Sequence, residues 1–261
     1  MGETIVYFRL KGRKMKAIYL VLGASSETGI AFISRLDRQA VEGTEVVAHY
    51  SKSSEKLLEL QRELKNIRLI LIGADLSKKE EVEEFVLELE RKQICPTHIL
   101  HLAAKPLCYQ KLKNWDDALM EEEMQIQVYA FARICSYILP MMSKNHFGRV
   151  AVAASSVTIG LPPAYMSHYV AVKYALLGLV RAMAAEYGSK GICVNAVSPS
   201  MMETKFLDQI DDKIIQLSSQ NSLRKSNITV EETVEGIMYL LSEGASALNG
   251  TNLNLTGGTI M

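Results

Sequence analysis

The chain has 261 residues, 48% of them hydrophobic and 22% charged, a globular composition with ample length for one sizeable core. Its 29 basic side chains balance 29 acidic ones, which leaves no electrostatic footprint for nucleic acid. Cys95, Cys108, Cys135 and Cys193 are scattered and form no C-x-x-C pair, which argues against a metal site or a disulfide framework and for a reducing, cytoplasmic setting.

Residues 1–14 read as an N-terminal extension, and residues 15–261 as one domain. Lys11, Arg13, Lys14 and Lys16 carry charge near the start, but no apolar run leads from them to a small-residue cleavage site. Nor does any apolar run reach the ~18 residues of a membrane span. The first apolar run, Ala17–Leu22, is therefore a strand. Behind it comes Gly23-Ala24-Ser25-Ser26-Glu27-Thr28-Gly29-Ile30. Small residues let the backbone turn tightly there, and a helix starting at this turn aims free N–H groups and its positive end at a pyrophosphate. Gly23, Ser25, Ser26, Gly29 and Ile30 are the candidate contacts. An ordinary strand-to-helix turn reads the same way in isolation.

The second run, Val46–Tyr50, is followed by Ser51-Lys52-Ser53-Ser54. An acid at this strand end would bond the ribose hydroxyls of NAD. None is present, and hydroxyls plus Lys52 suit a 2′-phosphate, so Tyr50, Ser51 and Lys52 point to NADP(H), with NAD(H) as the alternative. Glu55–Lys65 has helical spacing. The third run, Leu69–Ile72, leads to Asp75 and Leu76. This acid can accept from an adenine amino group, or simply cap the helix predicted over Lys79–Arg91. The fourth run is Ile99–Leu102. A long helical stretch, Trp115–Met142, follows, with a break expected at Pro140.

The fifth run, Val150–Ala154, ends at Ser155-Ser156, and Tyr169 and Lys173 lie on a helix predicted over 168–187. Tyr and Lys four residues apart share a helix face. A phenol titrates near 10, too high for easy exchange at neutral pH, and a neighbouring ammonium favours phenolate. Tyr169 can then trade a proton with a carbonyl oxygen, while Lys173 holds the cofactor ribose. Ser156, 13 residues before Tyr169, can donate to the substrate oxygen. A surface Tyr–Lys pair would share the same spacing. Ile192–Val197 and Asn252–Leu255 are the last two runs, with a helix over Thr229–Leu241 between them. Strands alternating with helices predict one doubly wound, Rossmann-type α/β domain with a parallel sheet of about seven strands flanked by helices.

These residues resemble the short-chain dehydrogenase/reductase family, nearest its β-ketoacyl-[acyl-carrier-protein] reductase-like group, from about Lys16 to Met261. Ser156, Tyr169 and Lys173 match its catalytic serine and Tyr-x-x-x-Lys pair. Gly23 and Gly29 match the outer glycines of its cofactor loop, and Asp75 its adenine-side acid. The resemblance adds Ala103, Ala104, Pro199 and Thr204 as cofactor contacts, and Gln127 where the family has a catalytic asparagine. Glu27 replaces the loop's middle glycine, and Leu102-Ala103-Ala104-Lys105 replaces Asn-Asn-Ala-Gly. The implied function is NADPH-dependent reduction of a ketone, with a 3-oxoacyl thioester as substrate. The implied assembly is a homotetramer, for which the apolar long helices also argue. Leu161–Met166 with Met201, Met202, Phe206 and Leu207 offer an apolar substrate wall, while Lys144, Arg149 and Lys190 are candidates to greet an acidic acyl carrier protein. An NAD-dependent alcohol dehydrogenase and a non-catalytic dinucleotide-binding sensor remain open as alternatives.

Overall fold

A computed structural model of the chain describes residues 8–10, 13–41 and 43–258. Much of the expected extension, residues 1–7, 11 and 12, lies outside the described residues, as do 42 and 259–261. Strands β1 (Phe8–Leu10) and β2 (Arg13–Met15) form an antiparallel pair of their own.

All seven apolar runs are strands of a single parallel sheet. In chain order they are β3 (Ile18–Leu22), β4 (Thr44–Tyr50), β5 (Ile67–Gly73), β6 (His98–His101), β7 (Gly148–Ala153), β8 (Ile192–Pro199) and β9 (Asn252–Leu255). Their order across the sheet is β5-β4-β3-β6-β7-β8-β9. The winding therefore reverses between β3 and β6, where Leu20 pairs with Ile99. A crevice opens beyond the carboxyl ends of the strands at such a reversal.

The helices are α1 (Glu27–Asp37), α2 (Glu55–Glu63), α3 (Lys79–Arg91), α4 (Asp117–Met124), α5 (Ala130–Asn145), α6 (Ser167–Tyr187), α7 (Asp212–Asn221) and α8 (Val230–Leu241). Strand side chains alternate between two cores, as a period of two requires. Leu20, Leu22, Ile99, Val150 and Val194 pack against α3, α5 and α6. Val21, Val46, Ala48, Leu100 and Ala151 pack against α1, α2 and α8. Burying a side chain such as Ile99 contributes about 1.5–3 kcal/mol.

The long helix does not break at Pro140. α5 runs through that proline to Asn145, where left-handed His146 stops it. The irregularity lies earlier, in a π-helical turn over Gln125–Tyr129 that joins α4 to α5. α8 opens with a complete capping box: Thr229 Oγ1 accepts from the Glu232 amide, and the Glu232 carboxylate accepts from the Thr229 amide.

Candidate active site

The turn after β3 is built around its glycines. Gly23 has φ +81°, and a Cβ there would lie 2.8 Å from the Ala103 amide nitrogen. A Cβ on Gly29 would lie 2.5 Å from the Ala24 carbonyl. Ser26 caps α1: its Oγ accepts from the Gly29 amide at 3.1 Å and donates to the Gly23 carbonyl at 2.8 Å. The Ile30 amide bonds the Ser26 carbonyl. Ser26, Gly29 and Ile30 thus shape the loop by satisfying one another. The amides of Glu27 and Thr28, in the first turn of α1, are left to meet an anion.

His49, which sequence reasoning missed, locks this loop from behind. Its Nδ1 accepts from the Gly23 amide at 3.1 Å, and its Nε2 faces the Ala74 carbonyl at 2.9 Å. The carbonyl requires the proton on Nε2. Burial pushes the ring's pKa down to about 4, so the imidazole is neutral at pH 7.

Glu27 sits at the positive end of α1, where an acid is favourable. It braces no part of its own loop. Instead its Oε2 accepts from the Lys205 amide at 2.9 Å, joining the loop to the far wall of the cleft.

Tyr50 ends β4, with Ser51 and Lys52 directly after it, and Asp75 and Leu76 lie beyond β5. Asp75 Oδ1 accepts from the amide and the hydroxyl of Ser77, at 3.0 and 2.7 Å. The Ser77 hydroxyl above all holds this carboxyl below its usual range, and Lys78 and Lys52 add to the effect. Lys56, in the first turn of α2, lines the main cleft and was not anticipated. Only its proximity in space to Ser25 and Ser26 reveals it.

The main cleft has a volume of about 590 Å³ and runs from Ser25, Ser26 and Thr28 past Leu102, Ala104 and Pro199 to Tyr169 and Lys173. Tyr169 is nearly buried on α6, and its ring lies 5.5 Å from Lys173 Nζ. Lys173 Nζ donates to the Ala153 carbonyl at 2.8 Å, so the end of β7 fixes the ammonium. Burial drags Lys173 down to about 8 and pushes the Tyr169 phenol up to about 12. The expected depression of the phenol by Lys173 is not found: burial raises it, and the lowering influence is the Ser155 hydroxyl.

Of the two serines beyond β7, it is the Ser155 hydroxyl that works against that rise. Counting back from Tyr169 selected Ser156, but β7 stops at Ala153 and Ser155 caps the 3-10 turn Ser156–Thr158. That turn carries Ser156 onward, although both serines line the cleft. Gln127 lies in the π turn; its carbonyl accepts from His101 Nε2 at 2.9 Å, and its Oε1 has no hydrogen-bond partner.

The far wall is apolar, as expected: Leu161, Pro162, Pro163, Met166, Met201 and Phe206 line it. Leu107 and Tyr109 join them from the loop after β6. Thr204 lines the cleft where the wall meets Glu27. Lys144, Arg149 and Lys190 cannot meet a carrier there. They lie just before or at the start of β7 and β8, at the opposite end of the sheet. Arg149 is moreover buried, donating to the carbonyls of Gly148, Gly191 and Ser242.

The profile of the family described as enoyl-(acyl carrier protein) reductase matches residues 23–259, from the cofactor loop to the last strand. The chain belongs to the short-chain dehydrogenase/reductase family. It is an oxidoreductase of that family, whose members bind NAD(P)(H). Among its relatives is the 3-oxoacyl-[acyl-carrier-protein] reductase FabG of Rickettsia bellii, 26% identical over 93% of this chain and 96% of the relative. Nodulation protein G of Rhizobium sp. is 28% identical over 97% and 99%. A 3-oxoacyl-[acyl-carrier protein] reductase structure from Brucella melitensis superposes with a TM-score of 0.83 at 18% identity, covering 94% of this chain and 91% of that one. At that identity the likeness concerns the fold. No described helix is long and apolar enough to cross a membrane.

Proposed function

We propose that this reductase converts the ketone of a 3-oxoacyl thioester, carried on acyl carrier protein or a smaller thiol, to the hydroxy compound in the cytoplasm, with NADPH preferred over NADH. The observation that carries this reading is a phenol, a hydroxyl and an ammonium gathered at the inner end of an apolar cleft. The loop fits a dinucleotide: Gly23 makes room against Ala103, and Glu27 and Thr28 of the first turn of α1 line the cleft. The nicotinamide, when bound, supplies the hydride. Tyr169, holding its proton at neutral pH, donates it to the carbonyl oxygen as general acid. Ser155 donates to the same oxygen and stabilises the charge growing there. Lys173, held by Ala153, keeps positive charge beneath the phenol and orients the ribose.

The preference for NADPH rests on Ser51-Lys52-Ser53-Ser54, with no acid, directly after Tyr50, and on Lys56, which lines the cleft with Ser25 and Ser26. The substrate class rests on the apolar wall and on the relatives named above. Exposed Tyr129, in the π turn before α5, and Tyr174, on α6, support a homotetramer assembled through those faces. Light scattering showing a monomer would end that part of the proposal.

The test is NADPH oxidation, followed by absorbance, across a panel of 3-oxoacyl thioesters and free ketones. Tyr169→Phe is expected to abolish turnover and leave NADPH affinity near that of the parent. Lys52→Glu is expected to narrow the preference for NADPH. A Tyr169→Phe enzyme that still turned over would end the catalytic assignment, and a higher kcat/KM with NADH would end the cofactor assignment.

A further inference from the structure

None of the 10 residues of α7 is buried. The helix nevertheless has two distinct sides. Ile214, Leu217, Ser218 and Asn221, spaced i, i+3, i+4 and i+7, share one face, and all four line the main cleft. Ile215, Gln216 and Ser219 belong to the other side and line a separate cavity. The helix is held from that second side. Ile215 packs against the small core that contains Tyr169, Leu207 and Ile210. The Asn227 side-chain amide donates to the Ile215 carbonyl at 3.3 Å and to Glu203 Oε1 at 2.9 Å.

The cleft-side face is left in water. Ile214 is 36% exposed and Leu217 56%, while Leu161, which lines the same cleft from the loop before α6, is 95% exposed. One exposed leucine on a surface is ordinary. Three large aliphatic side chains lining one concave space are a patch that an apolar ligand can cover. The charged side chains that line the cleft are Glu27, Lys56, Lys173 and Lys205, and none of them comes from α7 or from the Leu161–Met166 loop. These two segments therefore offer nothing to pair with a charged group. The same cleft reaches the chemistry: Phe206 lines it, with its ring 6.0 Å from that of Tyr169.

We propose that Ile214 and Leu217 select the substrate by its acyl tail, so that the enzyme favours 3-oxoacyl thioesters whose tail is long enough to cover the α7 face and Leu161. The inference rests on the thioester reading above and adds the part of the substrate that is recognised. A short acyl group held at Tyr169 leaves this face exposed. A longer one takes its own methylenes and these side chains out of water together.

The experiment is a length series on one small thiol: the 3-oxobutyryl, 3-oxooctanoyl and 3-oxododecanoyl thioesters of N-acetylcysteamine, with NADPH. From 3-oxobutyryl to 3-oxooctanoyl, kcat/KM of the parent is expected to rise at least about tenfold, a fully buried methylene being worth roughly fourfold. Ile214→Ser and Leu217→Ser are each expected to cut the octanoyl-to-butyryl ratio by about fivefold, through KM rather than kcat, because the tail is gripped alike in ground and transition states. Leu87→Ser, at a leucine on α3 that is 47% exposed and outside the cleft, should keep the ratio of the parent. If neither α7 variant folds, methyl NMR of the parent decides. The Leu217 signals must move on adding 3-hydroxyoctanoyl thioester with NADP, and stay in place with the 3-hydroxybutyryl compound. Leu217 signals indifferent to the longer tail overturn the proposal, as does a ratio unchanged in both serine variants. A parent that reduces none of the thioesters sinks the underlying reading instead, whereas one that reduces them all at rates indifferent to length sinks this inference alone.

Discussion

The Glu27 carboxylate accepts the Lys205 amide at 2.9 Å, tying the first turn of α1 to the 3-10 turn Lys205–Leu207 on the other side of the cleft. A glycine at position 27 would leave the Lys205 amide to water and free the turn that carries Phe206 and Leu207. Glu27→Gly is therefore expected to lose about 1 kcal/mol of stability, the worth of a partly exposed hydrogen bond. It is also expected to bind NADPH no more tightly than the parent. Glu27→Gln keeps an acceptor oxygen and should fall in between. Calorimetric titration with NADPH checks this. A clear gain in affinity for Glu27→Gly would mean that the carboxylate repels the pyrophosphate rather than bracing the cleft.

The Ser155 hydroxyl pulls the Tyr169 phenol down against the rise from burial, which sets apart two adjacent serines. Removing a preorganised donor to a developing oxyanion typically costs about 10²–10³ in kcat. Ser155→Ala is expected to show that loss with little change in NADPH affinity. Ser156→Ala, whose side chain sits one residue further into the 3-10 turn, should remain close to the parent. Steady-state kinetics on both variants decides, and the reverse ranking would return the role to Ser156.

Strands were the most legible part of the chain, because seven short apolar runs alternating with helical stretches have one economical arrangement. Tyr169 and Lys173 were legible because helical spacing alone puts them on one face. What sequence hid was set by register and burial. A serine counted from Tyr169 depends on the length of the loop between them, and both Ser155 and Ser156 line the cleft. Pro140 read as a stop, but α5 continues through it and the π turn lies 11 residues earlier, at Tyr129 and before. His49 looked like an ordinary polar residue of a strand; only the structure shows its ring bonded to the Gly23 amide. Lys144, Arg149 and Lys190 were misjudged because charge in a sequence does not say which end of a sheet it occupies.

Asp37, at the end of α1, organises the entry to β5. Its carboxylate accepts the amides of Lys65, Asn66 and Ile67, with Oδ1 distances of 3.2, 2.8 and 2.9 Å. It is nearly buried, so these amides have no ready substitute in water. Asp37→Ala strands them and is expected to cost about 3 kcal/mol, the range for losing buried bonds to a charged group. Asp37→Asn, which keeps one acceptor oxygen, should cost less. Urea unfolding measures both. A cost for Asp37→Ala near zero would show that the turn holds itself.

Three buried histidines give the fold an acid-sensitive limb. Burial pushes His49 down to about 4, and His98 and His101 down to about 3, each from an ordinary value of 6.5. Each has a specific neutral setting: His49 between Gly23 and Ala74, His98 stacked on Tyr19, His101 stacked on Phe131. In the folded state all three resist the proton that the unfolded chain accepts at 6.5. The unfolded state therefore binds more protons as pH falls, and stability falls with it. The contribution is complete above pH 6.5, erodes below that, and is gone once pH has passed through the folded values near 4 and 3. At pH 5 each histidine accounts for about 2 kcal/mol of loss by linkage, 1.5 units below its unfolded midpoint. Urea unfolding between pH 7.5 and 5 should show a steep drop beginning near 6.5, before most carboxylates titrate. A stability that stays level from pH 6.5 to 5.5 would mean that these rings take up protons within the fold, and the neutral His49 lock behind Gly23 would have to be abandoned.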